Sequence, residues 1–394
     1  MIPNNIFQNT ERAFGYRSNH ELRNARMLFR AIASPWATKQ GIRFTNFCVA
    51  MRLPVKKLIK NTLFRQFCGG ETLEEVLVTA DRLHRHQVSA ILDYGAEQKN
   101  TEADFDKAAR SILDAIGRSA GNPGITFVSL KVTSLARFQL LEKLHVALPL
   151  TDAETMEWQR VRERVLAICS AAAAAGLKVL IDAEETWVQE PVNELTVDMM
   201  TRFNQTEVII YNTFQLYCDG TLSFLEISWR HARENGYLLG AKLVRGAYMD
   251  KERARAWQFG YPDPIHSTKA GTDRDFNAAV DFCLARLPEL GVFIGTHNEA
   301  SCLHAVRSME SLGLPHAHPR IHFSQLYGMS DPITFNLAAE GFTATKYLPY
   351  GPVAEVVPYL LRRAEENTSV AGQSGRELHQ ITTEIRRRRH THEK

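Results

Sequence analysis

The chain has no run of about 18 or more uncharged apolar residues, so its sequence predicts no membrane-spanning helix. Its first residues, MIPNNIFQNTERAF, lack a basic start followed by an apolar stretch, and we expect no secretory signal. The six cysteines are scattered, with no two closer than 19 positions, which excludes CxxC redox and zinc patterns and gives no disulfide framework. These absences predict a cytoplasmic protein with reduced thiols.

Signatures of metal and dinucleotide binding are also missing. The histidine triplets HRH, HAH and HTH have no cysteine or carboxylate partners at ligand spacing, so we expect no metal site. No GxGxxG follows a predicted strand. This absence disfavours an open doubly wound sheet, which is the structural alternative to a closed barrel.

Charge is distributed unevenly, although the net charge is only +3. Residues 1–70 contain twelve Lys or Arg but only Glu11 and Glu21, while the remainder contains 35 basic and 42 acidic residues. A basic end on an acidic body predicts an anionic partner surface, such as a membrane face to which the chain would bind peripherally. The alternative is a solvated helical face.

From about residue 88 the sequence alternates between short apolar runs and helical patterns. Runs rich in Val and Ile are typical of buried parallel strands. The predicted strands are VSAILDY (88–94), ITFVSLKV (125–132), KVLIDAE (178–184), EVIIYNTF (207–214), LLGAKLVR (238–245), VFIGTHN (292–298), RIHFSQL (320–326) and ATKYLP (344–349). Eight strands alternating with helices predict an α/β fold of the (β/α)8 or TIM-barrel type.

This pattern divides the chain into three parts. Residues 1–87 are predicted to form an N-terminal helical region, and residues 88–370 are predicted to form the barrel that carries the site. Residues 371–394 are predicted to be a polar, basic C-terminal tail.

Polar residues stand at the predicted C-terminal ends of seven strands, where active sites of this fold lie. They are Lys131, Asp182, Gln215, Lys242 with Arg245 and Gly246, His297 with Asn298, Gln325, and Tyr347. Each alone could be a strand-end residue that meets water. Seven such positions together predict a functional site.

A helix predicted after the last strand carries two adjacent arginines. In GPVAEVVPYLLRRAEEN, apolar residues recur at helical spacing and form one face. Tyr359, Arg362, Arg363 and Glu366 share another face, and the spacing of Glu366 lets its carboxylate hold one guanidinium. Two planar cations suit a small carboxylate, although the alternative is a basic helix surface.

Several motifs together resemble the proline dehydrogenase family, and they are most similar to its monofunctional members. The motifs are KYLPYGPV…PYLLRRAEEN, AKLVRGAYM, GTHNE, FSQLYGM and IDAEE, and the resemblance extends from about residue 10 to about residue 370. It implies a distorted (β/α)8 barrel, non-covalent FAD, and oxidation of L-proline to Δ1-pyrroline-5-carboxylate, the first step of proline catabolism. Electrons would pass to a quinone.

The resemblance also implies roles for individual residues. The substrate site would consist of Lys131, Asp182, Leu326, Tyr347, Tyr359, Arg362 and Arg363. The flavin contacts would be Gln215, Lys242, Val244, Arg245, Gly246, Ala247, Tyr248, Thr296, His297, Asn298 and Glu366. Lys131, Asp182 and Lys242 would act in catalysis, with Asp182 paired to Lys131. Many relatives have an arginine in place of Lys242, and lysine lacks its planar fork.

Other functions stay possible on the sequence alone. A related enzyme of the same fold would prefer 4-hydroxyproline, and a catalytically inactive barrel would serve as a binding scaffold. A DNA-binding regulator would need an added ribbon-helix-helix segment, whereas residues 1–70 predict hydrophobic helices. We therefore expect no nucleic-acid partner.

Overall fold

The structure is a computed structural model that describes residues 2–34, 40, 56–95, 100–369 and 373–392. The side chains of residues 56, 58, 365–369, 373, 374 and 392 are outside this description. Part of the predicted N-terminal helical region, at residues 35–39 and 41–55, therefore lies outside the described residues.

Eight strands form a closed parallel barrel in chain order. They are β1 (Val88–Tyr94), β2 (Ile125–Leu130), β3 (Lys178–Ile181), β4 (Ile210–Gln215), β5 (Leu239–Val244), β6 (Leu290–Gly295), β7 (Ile321–Leu326) and β8 (Ala344–Tyr350). Nearly all of their residues are buried, as parallel strands covered by helices require. All eight predicted strands are present, and the predicted barrel is confirmed.

Helices precede, connect and follow the strands. They are α1 (Thr10–Phe14), α2 (Asn19–Ile32), α3 (Lys56–Ile59), α4 (Arg65–Phe67), α5 (Leu73–His84), α6 (Glu102–Ser119), α7 (Phe138–His145), α8 (Asp152–Ala174), α9 (Gln189–Phe203), α10 (Thr221–Glu234), α11 (Met249–Phe259), α12 (Lys269–Leu284), α13 (Glu299–Ser311), α14 (Asp331–Ala339), α15 (Val353–Ser369) and α16 (Gln373–His392). Ser18 and Thr151 begin α2 and α8 with capping boxes, which satisfy backbone donors at the first turn. In the described part of the chain, no helix is both long and apolar enough to cross a membrane.

The chain divides into two compact units. The first consists of Met1–Ile2 and Ala96–Ser324, and the second consists of Pro3–Gly95 and Gln325–Lys394. The N-terminal helices and the segment after β8 therefore belong to the same unit, although they are distant in sequence. The predicted domain bounds at residues 87 and 370 stay a prediction.

The second unit has a hydrophobic core that includes one face of α15. Phe14 and Phe29 of the N-terminal helices, Leu360 of α15, and Ile381 and Ile385 of α16 are all buried in it. The segment predicted as a polar, basic tail thus includes a helix with one buried apolar stripe. Helix α15, which carries the two arginines, is therefore packed by helices from the N-terminal and the C-terminal parts of the chain.

Candidate active site

Three charged residues meet at the C-terminal ends of β2, β3 and β5. Lys131 directly follows β2, Asp182 directly follows β3, and Lys242 lies within β5. The Lys242 ammonium donates a 2.5 Å hydrogen bond to Asp182 Oδ1, while Lys131 Nζ lies 3.7 Å from Asp182 Oδ2. We predicted Lys131 as the partner of Asp182, and the structure places Lys242 closer to it.

Burial makes this cluster electrostatically strong. Asp182 is 8% exposed and Lys242 is 6% exposed, so water screens their attraction only weakly. The Asp182 carboxylate faces two ammonium groups, and the nearby Glu184 carboxylate also interacts with Lys131. These strand ends therefore carry a cluster of coupled charges around Asp182.

Gln215 ends β4 and is held by the loop that follows β3. Its Nε2 donates a 2.7 Å hydrogen bond to the backbone oxygen of Glu184. The Glu184 carboxylate in turn accepts hydrogen bonds from Thr133, from the backbone N at 3.0 Å and from Oγ1 at 2.5 Å. Burial raises the pKa of Glu184 to about 7, although the Thr133 donors and Lys131 favour its charged form. Sequence reasoning missed Glu184, and its only signal was the acidic repeat in IDAEE.

Arg245, just after β5, is fixed by an acidic and hydroxyl network. Its Nη2 lies 2.6 Å from Asp273 Oδ1, and its Nη1 donates to Thr296 Oγ1 at 2.5 Å. Burial opposes the charge of Asp273, but hydrogen bonds from Lys269 and Arg245 hold its pKa below the usual range. Asn298 donates its backbone N to Thr296 Oγ1 at 3.2 Å. The structure therefore brings together Arg245, Thr296 and Asn298, three of the residues predicted to contact a flavin.

Asn298 also begins helix α13. Its side-chain oxygen accepts a 3.2 Å hydrogen bond from the backbone N of Ser301, which caps the first turn. The N-terminus of a helix attracts anions because its backbone N–H groups point outward. His297, partly buried, directly precedes this N-terminus.

The segment from Val244 to Tyr248 has a backbone that requires glycine at one position. Gly246 has φ of +141°, and a Cβ there would lie 2.3 Å from the ring of Tyr217. Val244 pairs with Gln215 across β4 and β5. Ala247 is exposed, and Tyr248 directly precedes α11. A side chain at residue 246 would therefore be strained and would clash with Tyr217.

In the second unit, Leu326 and Tyr347 lie on β7 and β8. The backbone oxygen of Tyr347 accepts a 2.9 Å hydrogen bond from the backbone N of Tyr327, and its side chain is 7% exposed. The backbone oxygen of Leu326 accepts a hydrogen bond from Lys346 Nζ at 3.3 Å. Both predicted substrate residues are thus fixed through their backbones. Gln325, beside Leu326, accepts a 2.6 Å hydrogen bond from Thr334 Oγ1.

Helix α15 presents an aromatic ring and a cation together. The guanidinium carbon of Arg363 lies 5.1 Å from the centroid of the Tyr359 ring, which is the distance of a cation–π contact. Both residues are buried, whereas Arg362 is partly exposed. The side chain of Glu366, predicted to hold a guanidinium, lies outside the described residues.

A buried charge cluster supports this part of the second unit. Lys346 pairs with Asp331 at 2.9 Å, and Arg17 reaches the other oxygen of Asp331 at 2.9 Å. Glu377 of α16 accepts a 2.5 Å hydrogen bond from the backbone N of Ser330. Burial and the negative charge of Asp331 raise the pKa of Glu377 to about 7. This cluster could not be predicted from the sequence, because its members lie far apart along the chain, from Arg17 to Glu377.

A group of potential metal ligands occurs in the first unit. Single ligand atoms of Asp219, His266 and Asp275 all lie within 4.8 Å of one another. His266 Nε2 and Asp275 Oδ2 are 2.8 Å apart, and Arg274 donates to Asp275 Oδ1 at 2.8 Å. Both oxygens of Asp275 thus have protein partners.

Comparisons with known proteins agree with these features. The family model described as proline dehydrogenase matches residues 76–376. Carbapenem antibiotics biosynthesis protein CarD of Pectobacterium carotovorum subsp. carotovorum is 38% identical over 322 residues, which cover 82% of this chain and 83% of that protein. Hydroxyproline dehydrogenase of Xenopus laevis is 32% identical over 414 residues, which cover 95% of this chain and 88% of that protein.

A solved structure shares the fold. The crystal structure of proline utilization A from Bdellovibrio bacteriovorus, inactivated by N-propargylglycine, matches with a TM-score of 0.71 and 21% identity. The match covers 78% of this chain and 33% of that one, so this chain spans about a third of the length of that protein. At this identity the likeness concerns the barrel fold alone.

Proposed function

Because the chain belongs to the proline dehydrogenase family, we propose that it oxidises L-proline to Δ1-pyrroline-5-carboxylate with FAD as cofactor. A quinone would be the final electron acceptor. The product forms when a hydride leaves C5 and the amine loses a proton, so the ring nitrogen and C5 become an imine.

The observation that carries this proposal is the pairing of Arg363 with Tyr359 on α15. Proline consists of a carboxylate and a small apolar ring. One buried helix face offers a guanidinium for the carboxylate and an aromatic wall for the ring. Arg362, adjacent in sequence, would add a second guanidinium, and Lys131 would add an ammonium.

The residues predicted to contact FAD suit a large anionic cofactor. Arg245 is oriented by Asp273 and Thr296, and Asn298 caps a helix N-terminus in the same network. A guanidinium and a helix N-terminus are typical partners of a pyrophosphate. When bound, FAD supplies the hydride acceptor, which no side chain can provide.

Further residues would complete the cofactor site. They are Gln215, Lys242, Val244, Gly246, Ala247, Tyr248, Thr296, His297 and Glu366. Lys242 would place a positive charge beside the reactive ring of the cofactor, and Asp182 would balance it.

The protein's own contribution to the reaction is orientation and charge. Arg362, Arg363 and Lys131 would hold the carboxylate in place, which directs the ring carbon to be oxidised. Tyr347, Tyr359 and Leu326 would enclose the ring and exclude water. Positioning of this kind lowers a barrier by several kcal/mol, about 7–11 in the best model systems.

A quinone acceptor would give the protein a reason to bind a membrane surface peripherally. The basic excess of residues 1–70 supports this proposal only in part. Arg17 is buried against Asp331 at 2.9 Å, and Arg12 pairs with Glu340 at 2.7 Å. Arg23 and Arg30 of α2 are exposed and keep their charge at the surface. Binding to anionic vesicles that falls steeply with added salt would support this association, and no binding at low salt would remove it.

Oxidation of 4-hydroxyproline is a second candidate function. The relative named hydroxyproline dehydrogenase aligns with 95% of this chain. Tyr347 argues against this substrate as the preferred one, because a buried aromatic ring leaves little room or hydrogen bonding for an added hydroxyl.

One assay separates these functions. Purified protein is supplied with FAD, a soluble quinone, and either L-proline or trans-4-hydroxy-L-proline, and the initial rates are compared. We expect a clear preference for proline in kcat/KM. Comparable rates on hydroxyproline would favour the second candidate, and no rate on either would support an inactive barrel.

A further inference from the structure

Glu184 connects three strand ends that the proposed function uses. It follows Asp182 by two residues in the loop after β3, and its side chain reaches Thr133, which lies in the short 3-10 helix Val132–Ser134 after β2. That helix begins at Lys131. The hydroxyl and the backbone N of Ser134 both donate to the backbone oxygen of Lys131, at 2.7 and 3.0 Å. The carboxylate of Glu184 therefore anchors the turn from which Lys131 projects.

The backbone of Glu184 anchors its neighbours in the same way. Its oxygen accepts from Gln215 Nε2 at 2.7 Å, and its N donates to Gln189 Oε1 at 2.9 Å. Gln189 Nε2 continues to Asn193 Oδ1 at 2.9 Å. Glu184 thus has hydrogen bonds on its carboxylate, its carbonyl and its N–H, and it is 4% exposed.

We propose that Glu184 is a positioning residue for proline oxidation, acting through Lys131. It fixes the turn that directs the Lys131 ammonium to the substrate carboxylate, and it fixes the amide of Gln215. This inference rests on the proposed function, because it assumes that Lys131 binds the carboxylate of proline. Glu184 would act through these neighbours rather than by its own contact with substrate or cofactor.

The first unit contains a matched control. Glu252 is also a buried carboxylate that accepts from one threonine, from the backbone N and from Oγ1 of Thr186, both at 2.7 Å. Removal of either carboxylate breaks the same two kinds of hydrogen bond to a threonine in a short 3-10 helix. Only Glu184 anchors the turn that begins at Lys131. A purely structural role predicts similar effects for Glu184→Ala and Glu252→Ala.

The test measures binding of tetrahydrofuran-2-carboxylate, the proline analogue with oxygen in place of the ring NH, to the FAD-loaded protein by calorimetry. The analogue keeps the carboxylate and cannot be oxidised as an amine. Glu184→Ala should weaken its Kd by about tenfold, the scale of lost hydrogen bonds to a charged group. Glu252→Ala should leave Kd within about twofold. Glu184→Gln, which can still accept from the Thr133 N and donate to its Oγ1, should restore most of the affinity.

A double-mutant cycle then links the effect to Lys131. In a Lys131→Met background, Glu184→Ala should weaken Kd no further, because the group that it positions is gone. Equal weakening with and without Lys131, or an unchanged Kd in Glu184→Ala, would overturn the proposal. If Glu184→Ala does not fold, Thr133→Val removes the hydroxyl donor alone and should weaken Kd by about threefold, again only when Lys131 is present. A wild-type protein that neither oxidises proline nor binds the analogue would overturn the proposed function and this inference together.

Discussion

Lys242 donates a 2.5 Å hydrogen bond to Oδ1 of Asp182, and both side chains are buried. Lys131 approaches the second oxygen of the same carboxylate at 3.7 Å. Asp182 therefore interacts with two lysines at once. Lys131 is predicted to hold the substrate, and Lys242 is predicted to act beside the cofactor. A substitution of either lysine should therefore change the electrostatic environment of the other through this shared carboxylate.

Replacement of Lys242 by methionine should reduce kcat more than it changes the KM for proline. In the proposed site it would remove a positive charge beside the cofactor, and it leaves Asp182 without its nearer partner. Loss of one preorganised electrostatic group reduces kcat by about 100- to 1,000-fold. Steady-state rates with a soluble quinone measure the effect. Lys242→Arg keeps the charge and should retain most of the rate, while a Lys242→Met enzyme as fast as the wild type would exclude Lys242 from the chemistry.

Replacement of Arg362 or Arg363 by alanine should raise the KM for proline by about ten- to 100-fold each, because a hydrogen bond to a charged group contributes about 1.5–3 kcal/mol. The melting temperature should change less for Arg362, which is partly exposed, than for Arg363, which packs on Tyr359. Arg386 of α16 is exposed and provides the control substitution. An unchanged KM in both variants would remove the arginine pair from the substrate site.

Replacement of Tyr347 by serine should lower proline activity and raise the ratio of hydroxyproline to proline activity. In the proposed site the buried ring would lie where an added hydroxyl lacks a partner, at a cost of about 1–3 kcal/mol. Removal of the ring should therefore relieve a discrimination of roughly tenfold or more in kcat/KM. Competing substrates assayed in parallel give this ratio directly. A ratio that serine leaves untouched would show that Tyr347 does not discriminate between them.

Glu377 should make the protein less stable as pH rises toward 8. Its folded pKa is raised to about 7 by burial and by Asp331, whereas an unfolded Glu titrates near pH 4.3, an approximate model value. The protonated form thus contributes stability, at most about 4 kcal/mol, that is fully present below the unfolded pKa and is lost as pH rises through the folded one. Glu377→Gln should therefore gain stability over the wild type between about pH 5 and pH 8.

Glu384, on the same helix, provides a control of opposite sign. Burial opposes its charge, but hydrogen bonds from Arg387, Arg388 and Thr10 hold its pKa below the usual range. Its stabilisation is present above the unfolded pKa and is lost as pH falls. Glu384→Gln should therefore destabilise the protein most near neutral pH. Thermal melts of both variants across this pH range test the assignment, and parallel curves for Glu377→Gln and the wild type would contradict it.

The strand pattern could be predicted from the sequence because each strand is a local feature. Val88–Tyr94 agrees with its predicted bounds, since a mostly apolar run lies between Gln87, which has a positive φ, and Gly95. The strand predicted at residues 292–298 instead ends at Gly295, and the side chains of Thr296 and Asn298 bind Arg245 and cap α13. Local periodicity does not show at which residue a strand ends and the polar side chains begin to bond to other parts of the fold.

Pairings across the fold could not be predicted in the same way. Lys242 and Asp182 are 60 residues apart, and Ser330 and Glu377 are 47 apart. Their contacts depend on which strands and helices become neighbours. The docking of α16 was missed for a related reason: its apolar stripe is short and lies in a strongly basic segment. Arg388 nevertheless donates to the backbone oxygens of Phe14 and Arg17, at 2.8 and 2.9 Å.

Reduction of the bound cofactor by proline tests the central claim most directly. The purified protein is loaded with FAD, kept free of oxygen, and mixed with L-proline while its visible flavin absorbance is recorded. We expect rapid loss of the absorbance, its return when a quinone is added, and release of Δ1-pyrroline-5-carboxylate in proportion to the flavin reduced. A protein that binds no FAD, or one whose flavin stays oxidised in excess proline, would contradict the account.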